Sequence, residues 1–264
     1  MHPMLIIAIR AARQAGNFIV KSYEKPDFPV DIAKEKNNFS TFFDKKVEKI
    51  IIEVIQKSYP THSIFIEESC KIVGEKDDIQ WIINPLDGKT NFTKRLPHFA
   101  ISITVRIRSR TEVAVIYNPM LNELFTSERG KGAQLNGYRL RLKNINSLEG
   151  AILATSFPLK AQQYTTVYMN IITKLFNKYA DFRCTGATAL DLAYVAAGRV
   201  DGFFGIDLKP FHFIAGELMV REAGGFISDF FGGNSYLLSG NLLVASARMV
   251  KKIVLEIQLK YKTN

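Results

Sequence analysis

The sequence is poor in cysteine and tryptophan, with two of the first and one of the second among 264 residues. Cys70 and Cys184 show no metal-binding spacing and suit a reducing compartment, which argues against a disulfide framework. Long apolar runs are missing too: none approaches the roughly 20 residues that a membrane-spanning helix needs. The opening MHPMLIIAIRAAR is broken at Arg10, too soon for the apolar stretch of a secretory signal. The expected location is therefore the cytoplasm, with no membrane as a partner. Repeats, low-complexity tracts and flexible linkers are absent. Acidic residues are outnumbered, 25 Asp and Glu against 35 Lys and Arg, for a net charge of +10. A basic surface suits anionic partners such as phosphorylated metabolites, RNA or an acidic protein face. The lysines are scattered, however, and a composition rich in lysine, isoleucine and asparagine yields the same excess. The densest basic stretch, Arg106-Ile-Arg108-Ser-Arg110, reads as a strand end and turn. No RNA-recognition motif is present, and aromatics do not alternate with basic clusters as stacking platforms would. RNA contact is thus expected only as an adjunct to another role.

What is present is an ordinary globular balance, 47% hydrophobic and 23% charged, long enough for one large domain or two intimately packed halves. Helical spacing runs over residues 4–23 and 41–58. SIFI (63–66) and QWII (80–83) read as strands. ISITVRI, EVAVIYN and ELFTS suggest an antiparallel meander, and Asn136-Gly137 marks a hairpin. AILATSF and VDGFFGI read as buried strands, and 161–180, 188–199 and 211–223 as helices. The last of these is closed by Gly224-Gly225. FISDF and NLLVAS follow as strands, then a C-terminal amphipathic helix. An α+β half (1–145) is expected to precede an α/β half (146–264).

Acids gather in the first half. Asp44 follows Thr41 at capping-box spacing, which predicts an N-terminal helix cap. Glu67-Glu68 ends the strand SIFI. Asp87 lies in Asn-Pro-Leu-Asp-Gly, where Pro85 and Gly88 predict a turn and Asp87 an Asx-turn residue. Taken together, two acid-bearing strand ends followed by helix starts can converge. Magnesium wants about six oxygen ligands, and two such ions can clamp a phosphate and activate a water. Helix starts beyond Gly88 and Gly186 would offer amides to phosphate oxygens.

IEES (66–69), WIINPLDGKTNF (81–92) and KPFHFIAGELMVREAGG (209–225) resemble the signature motifs of the lithium-sensitive, magnesium-dependent inositol monophosphatase family. KRLPHFAISI, RTEVAVIYNPMLNELF, GKGAQLNGYRLR and TALDLAYVAAGRVDGFF are similar to a bacterial branch of it. The resemblance implies a layered α-β-α-β-α sandwich, commonly a homodimer. It implies Mg²⁺ as cofactor, hydrolysis of inositol 1-phosphate or a similar polyol phosphate by a metal-activated water, and no phosphoenzyme. By position, Glu67 would ligate metal and polarise that water. The Leu86 carbonyl and Asp87 would complete the metal pair, and Asp44 would hold a weaker third ion. Gly88, Lys89 and Thr90 would form the phosphate turn, and Arg183, Gly186, Ala187 and Thr188 would flank the substrate ring.

The departures from the family pattern fall on the chemistry. Asn84 stands where the family has its bridging aspartate. Lys89 replaces the threonine that bonds the nucleophilic water. His212 replaces the aspartate contributed by the second half, which serves both metal and substrate. Gly205 replaces a glutamate that contacts substrate hydroxyls, and Phe211 replaces a tryptophan. A divalent ion and a carboxylate about 4 Å apart attract by roughly 8 kcal/mol at an effective dielectric near 20, before desolvation. Losing two such partners and gaining an ammonium should cripple metal affinity. Lys89 either lies between Glu67 and Asp87 as a built-in cation or points to solvent. Members of the bacterial branch also act in ribosomal RNA transcription antitermination with Nus factors and RNA polymerase. The expectation is such a binding role with phosphatase activity weakened or lost. The alternative is an active magnesium-dependent inositol-1-phosphate phosphomonoesterase.

Overall fold

The computed structural model describes residues 2–25, 38–66, 71, 72, 74, 76–145, 147–157, 162–178 and 180–258. Helix α1 (Pro3–Tyr23) begins with Pro3 at its first position, and the His2 side chain accepts the Met4 amide as a cap. Ala8, Ala11, Ala12, Ala15 and Ile19 form its buried stripe. Helix α2 (Asn38–Ser58) buries Phe43, Val47, Ile51 and Ile55 at the same spacing.

Eight strands follow: β1 (His62–Ile66), β2 (Lys71–Ile72), β3 (Lys76–Asp87), β4 (Ala100–Ile107), β5 (Arg110–Asn118), β6 (Glu123–Glu128), β7 (Gly132–Leu135) and β8 (Tyr138–Arg139). A short helix, α3 (Lys89–Thr93), separates β3 from β4. Their order in the sheet is β2-β1-β3-β4-β5-β6-β7-β8. Only the β1–β3 pair is parallel; β4 to β8 form the expected meander. Asn136 and Gly137 both take positive φ, 50° and 86°, as the two-residue hairpin signal requires. The central strands are apolar on both faces. Val113 and Val115 turn toward α1 and α2, while Ala114 and Ile116 turn the other way.

The second sheet comprises β9 (Ile152–Ser156), β10 (Asp181–Arg183), β11 (Gly202–Gly205), β12 (Phe226–Ser228) and β13 (Leu242–Ala245), in the order β10-β9-β11-β13-β12. Its helices are α4 (Thr165–Phe176), α5 (Thr188–Ala196), α6 (Pro210–Glu222), α7 (Tyr236–Ser239) and α8 (Ala247–Gln258). Helices α5 and α6 lie between the sheets, sharing one core with Ala114, Ile116 and Phe125 on one side and Phe203, Leu242 and Val244 on the other. Helices α4 and α8 cover the far face, over Leu153, Phe204 and Leu243. The result is a five-layer α-β-α-β-α sandwich. No described helix is long and apolar enough to cross a membrane.

Three boundaries differ from the sequence reading. Helix α2 starts before residue 41, so Asp44 is no cap but a buried residue inside the helix. Strand β3 does not stop at residue 83. It runs to Asp87 through an irregularity in which Asn84 pairs with Ser102 and Asp87 with Ala100, so Pro85 and Leu86 together face Ile101. A bulge of this kind accepts a proline that cannot donate to the ladder. The helix expected over 161–180 is a short 3₁₀ turn and α4, and Asp181–Arg183 form an edge strand instead.

Candidate functional site

The end of β3 is where the candidate residues meet. Gly88 has φ +90°, and a Cβ there would lie 3.0 Å from the His98 carbonyl oxygen and 3.2 Å from the Ala187 Cβ. Only glycine allows both this turn and the close approach of β3 to the start of α5. That approach puts Asp87 at the helix N-terminus. Its Oδ2 accepts the Ala189 amide at 2.7 Å, a carboxylate satisfying a first-turn amide and facing the positive end of the helix dipole. Asp87 is therefore not an Asx-turn residue. Its partner is 102 positions away and belongs to the layer between the sheets.

The other Asp87 oxygen faces the two substituted positions. The Asn84 Nδ2 lies 3.5 Å from Asp87 Oδ1, and the His212 Nδ1 is 3.7 Å from the same oxygen. His212 occupies the first turn of α6, which Pro210 opens. Among the described residues the buried Asn84 Oδ1 has no hydrogen-bond partner. Across the pocket the Lys89 Nζ sits 2.8 Å from Asp44 Oδ2, with the Asp44 side chain only 7% exposed. The solvent-facing orientation considered for Lys89 is thus excluded. The ammonium turns inward as a built-in cation would, but its described partner is Asp44. Glu67 lies outside the described residues.

The substrate-side positions are held by a polar web. Asn91 Nδ2 donates to the carbonyls of His98 and Thr185, both at 2.7 Å, which pins Gly186 and Ala187 beside the β3 turn. The Thr185 hydroxyl donates to Asp191 Oδ1 at 2.7 Å. Asp191 is 2% exposed, and burial, with the charge of Asp87 adding to it, raises its pKa to about 8. Burial lowers the pKa of the His98 imidazole, against the pull of Asp87 and Glu123. Thr188 is buried as the first residue of α5, whereas Thr90 is exposed on α3. Arg183 is exposed and turns its guanidinium to Asp181 at 2.8 Å and to the Phe182 carbonyl. The space above Gly205, where the family pattern has a glutamate, is taken by Leu208, whose Cδ1 would be 2.5 Å from a Cβ at that position.

Asn91, Thr185 and Asp191 were not singled out in the sequence. Asp191 carried a signal, being the one acid in the otherwise apolar run ALDLAYVAA, where a charge has no wet face to occupy.

These donors do not fit a magnesium pair. Among the described residues no three His, Cys, Asp or Glu side chains are grouped to hold a metal ion. Of the two described carboxylates, Asp44 is paired to an ammonium. Asp87 spends one oxygen on a helix amide and turns the other to an amide nitrogen and an imidazole.

The model of the inositol monophosphatase family matches residues 1–262. The chain is 62% identical over 254 residues to the Nus factor SuhB of Escherichia coli K12, covering 96% of this chain and 95% of that protein. It is 53% identical over 258 residues to the Nus factor SuhB of Vibrio cholerae, covering 98% and 97%. Of solved structures, the extragenic suppressor protein SuhB of Bartonella henselae matches with a TM-score of 0.87 at 35% identity, over 97% of this chain and 100% of that one. The inositol monophosphatase of Anabaena sp. PCC 7120 matches with a TM-score of 0.85 at 29% identity, over 97% and 95%. Motifs, five-layer architecture and near-complete coverage agree, and the chain belongs to the inositol monophosphatase family.

Proposed function

We propose that this protein is a SuhB-type binding factor, acting in ribosomal RNA transcription antitermination with Nus factors and RNA polymerase, and that its magnesium-dependent phosphatase activity is weakened or lost. The observation that carries the second part is the Lys89–Asp44 pair at 2.8 Å. An ammonium occupies the pocket beside a carboxylate that would otherwise attract a cation. It cannot lower the pKa of a bound water as a metal does. The substitutions at Asn84 and His212 act in the same direction, because each removes a carboxylate beside Asp87. Support for the first part is the likeness to relatives named Nus factor SuhB, together with a scaffold whose three apolar clusters are filled. Binding through a folded surface needs the layers, not the bridging aspartate. By the same resemblance the working form is a homodimer.

Three measurements test the reading. Calorimetric titration with Mg²⁺ should give no measurable heat with this protein, and inositol 1-phosphate should release no phosphate above background. The variant Asn84→Asp/Lys89→Thr/His212→Asp should recover both. A pull-down from a transcribing extract should retain RNA polymerase and Nus factors with the unaltered protein. Phosphate release at rates typical of an active phosphatase would sink the second part, and an empty pull-down the first.

A further inference from the structure

A cavity away from the β3 pocket lies where the start of α1 meets β6 and β7. Its volume is about 230 Å³, and Leu5, Thr126, Glu128, Lys131 and Gln134 are among the residues that line it. At about 30 Å³ per water, that is room for several waters or one small metabolite. The sheet decides which side chains reach it. Leu124 packs with the core under α1 and α2, while Phe125 turns to α5 and α6. Alternation then sends Thr126 and Glu128 to the α1 side with Leu124. The register pairs Thr126 with Gln134 and Glu128 with Gly132, so Gln134 shares that side. Gly132 adds no side chain opposite Glu128, which leaves the hollow open. Arg139 pairs with Gln134 across β7 and β8. Its guanidinium lies over Gly132, with Nη2 3.2 Å from where a Cβ would stand.

Two features of this hollow point to a ligand. Thr126 is only 8% exposed, and neither its hydroxyl nor the Gln134 amide has a hydrogen-bond partner among the described residues. Buried polar side chains are ordinarily paired. Arg139, too, has no ion-pair partner among the described residues. Charges of both signs meet around these groups. Glu128 accepts the His2 amide on one oxygen at 3.0 Å and the Lys131 ammonium on the other. Each oxygen has a further lone pair, and the ammonium has further hydrogens. A small anion would meet the Glu128 carboxylate. A small cation would meet Lys131 and Arg139. A neutral polyol would use none of the charges. A molecule that carries an ammonium and a carboxylate on neighbouring atoms matches all three.

We propose that this cavity binds a free α-amino acid with a small side chain. The carboxylate of the ligand pairs with the Arg139 guanidinium, whose fork suits it, and with the Lys131 ammonium. The ligand's ammonium pairs with Glu128 and the Thr126 hydroxyl, the Gln134 amide serves either end, and the side chain lies against Leu5. The site shares no residue with the β3 pocket, so its occupancy bears on neither part of the proposed function.

The test is calorimetric titration of the full chain with glycine, L-alanine, L-serine and L-valine. At least one should give saturable heat. L-Lactate replaces the ammonium of L-alanine with a hydroxyl, and ethylamine lacks its carboxylate. Each should bind at least about tenfold more weakly than the best amino acid, the scale of one lost charge-assisted hydrogen bond. Glycerol and inorganic phosphate should give no saturable heat. Arg139→Gln, on the surface, and Thr126→Val, nearly isosteric, should each weaken amino-acid binding about tenfold. Glu128 is left unaltered because it also holds the His2 amide, and the comparison of alanine with lactate reads its part. Circular dichroism confirms that each variant is folded. Absence of saturable heat with all four amino acids would overturn the site. Unchanged affinity in both variants would place any binding elsewhere, and lactate, phosphate or glycerol binding as tightly as the amino acids would overturn the assignment of a zwitterion.

Discussion

At the scale of single residues, the pocket is decided by what Lys89 does. A buried carboxylate left without a counter-charge costs more than a carboxylate and ammonium removed together. Asp44 is 5% exposed and Lys89 is its described ion partner, so the two substitutions should not add. Lys89→Met should lower the unfolding free energy by about 1–3 kcal/mol, the range for stranding a buried charged group near the surface. Lys89→Met with Asp44→Asn should recover at least half of that loss. Urea unfolding of the two single variants and the double variant closes the cycle. Strict additivity would show that the pair contributes nothing. The residue types at positions 84, 89 and 212 were legible in the sequence, because long motifs leave no doubt about which side chain stands where. The partner of Lys89 was not. Thr41-x-x-Asp44 has the spacing of a capping box, but α2 begins at Asn38, and the helix then carries Asp44 in beside Phe43, Val47 and Ile51.

At the scale of elements, α5 shows how an acid at a helix start and an acid inside it differ. Asp87 caps the helix from outside through the Ala189 amide. Asp191 belongs to the first turn of the helix itself, facing the shared core, with a pKa raised to about 8 because burial disfavours its charge. A carboxyl whose folded pKa lies above its unfolded value near 3.9 binds its proton more tightly in the native state. Its stabilising contribution is complete below about pH 4 and declines as pH rises toward 8. The slope through that window is at most about 1.4 kcal/mol per pH unit. Asp191→Asn keeps an acceptor for the Thr185 hydroxyl and removes the titration. Its stability should fall less between pH 5 and pH 8 than that of the unaltered protein, as measured by urea unfolding at each pH. Parallel profiles would show that Asp191 does not titrate there. Helices of this kind were the most legible part of the fold. The 3.6-residue spacing places α1, α5 and α6 within a few positions, and Gly224 at φ +90° closes α6 with the Gly225 amide on the Val220 carbonyl. The extension of β3 to Asp87 was not legible, because a proline inside a strand reads as its end until the opposing strand shows the bulge.

At the scale of the whole molecule, metal binding and folding are one linked equilibrium. Any ion held by the native pocket and not by the unfolded chain raises stability by RT ln(1 + [L]/Kd). A metal pair would tie α2 and β3 of the first sheet to α6 of the layer behind it, so its binding energy would be read out globally. Here those connections are already made by the protein's own groups: Lys89 to Asp44 between α3 and α2, Asp87 to Ala189 between β3 and α5, and His212 beside Asp87 from α6. The layers do not wait for an ion to close them. The melting temperature should therefore be the same, within about 1 °C, in 5 mM Mg²⁺ and in excess EDTA. In the Asn84→Asp/Lys89→Thr/His212→Asp variant the carboxylates would repel one another without metal. That variant should melt lower in EDTA and gain several degrees on adding Mg²⁺, since saturation at 100 times Kd is worth about 2.7 kcal/mol. Differential scanning calorimetry of both proteins in both buffers decides the matter. A rise with Mg²⁺ in the unaltered protein that Ca²⁺ or NaCl of equal ionic strength does not reproduce would mean that Glu67, Asp87 and the Leu86 carbonyl still hold an ion despite the lysine beside them.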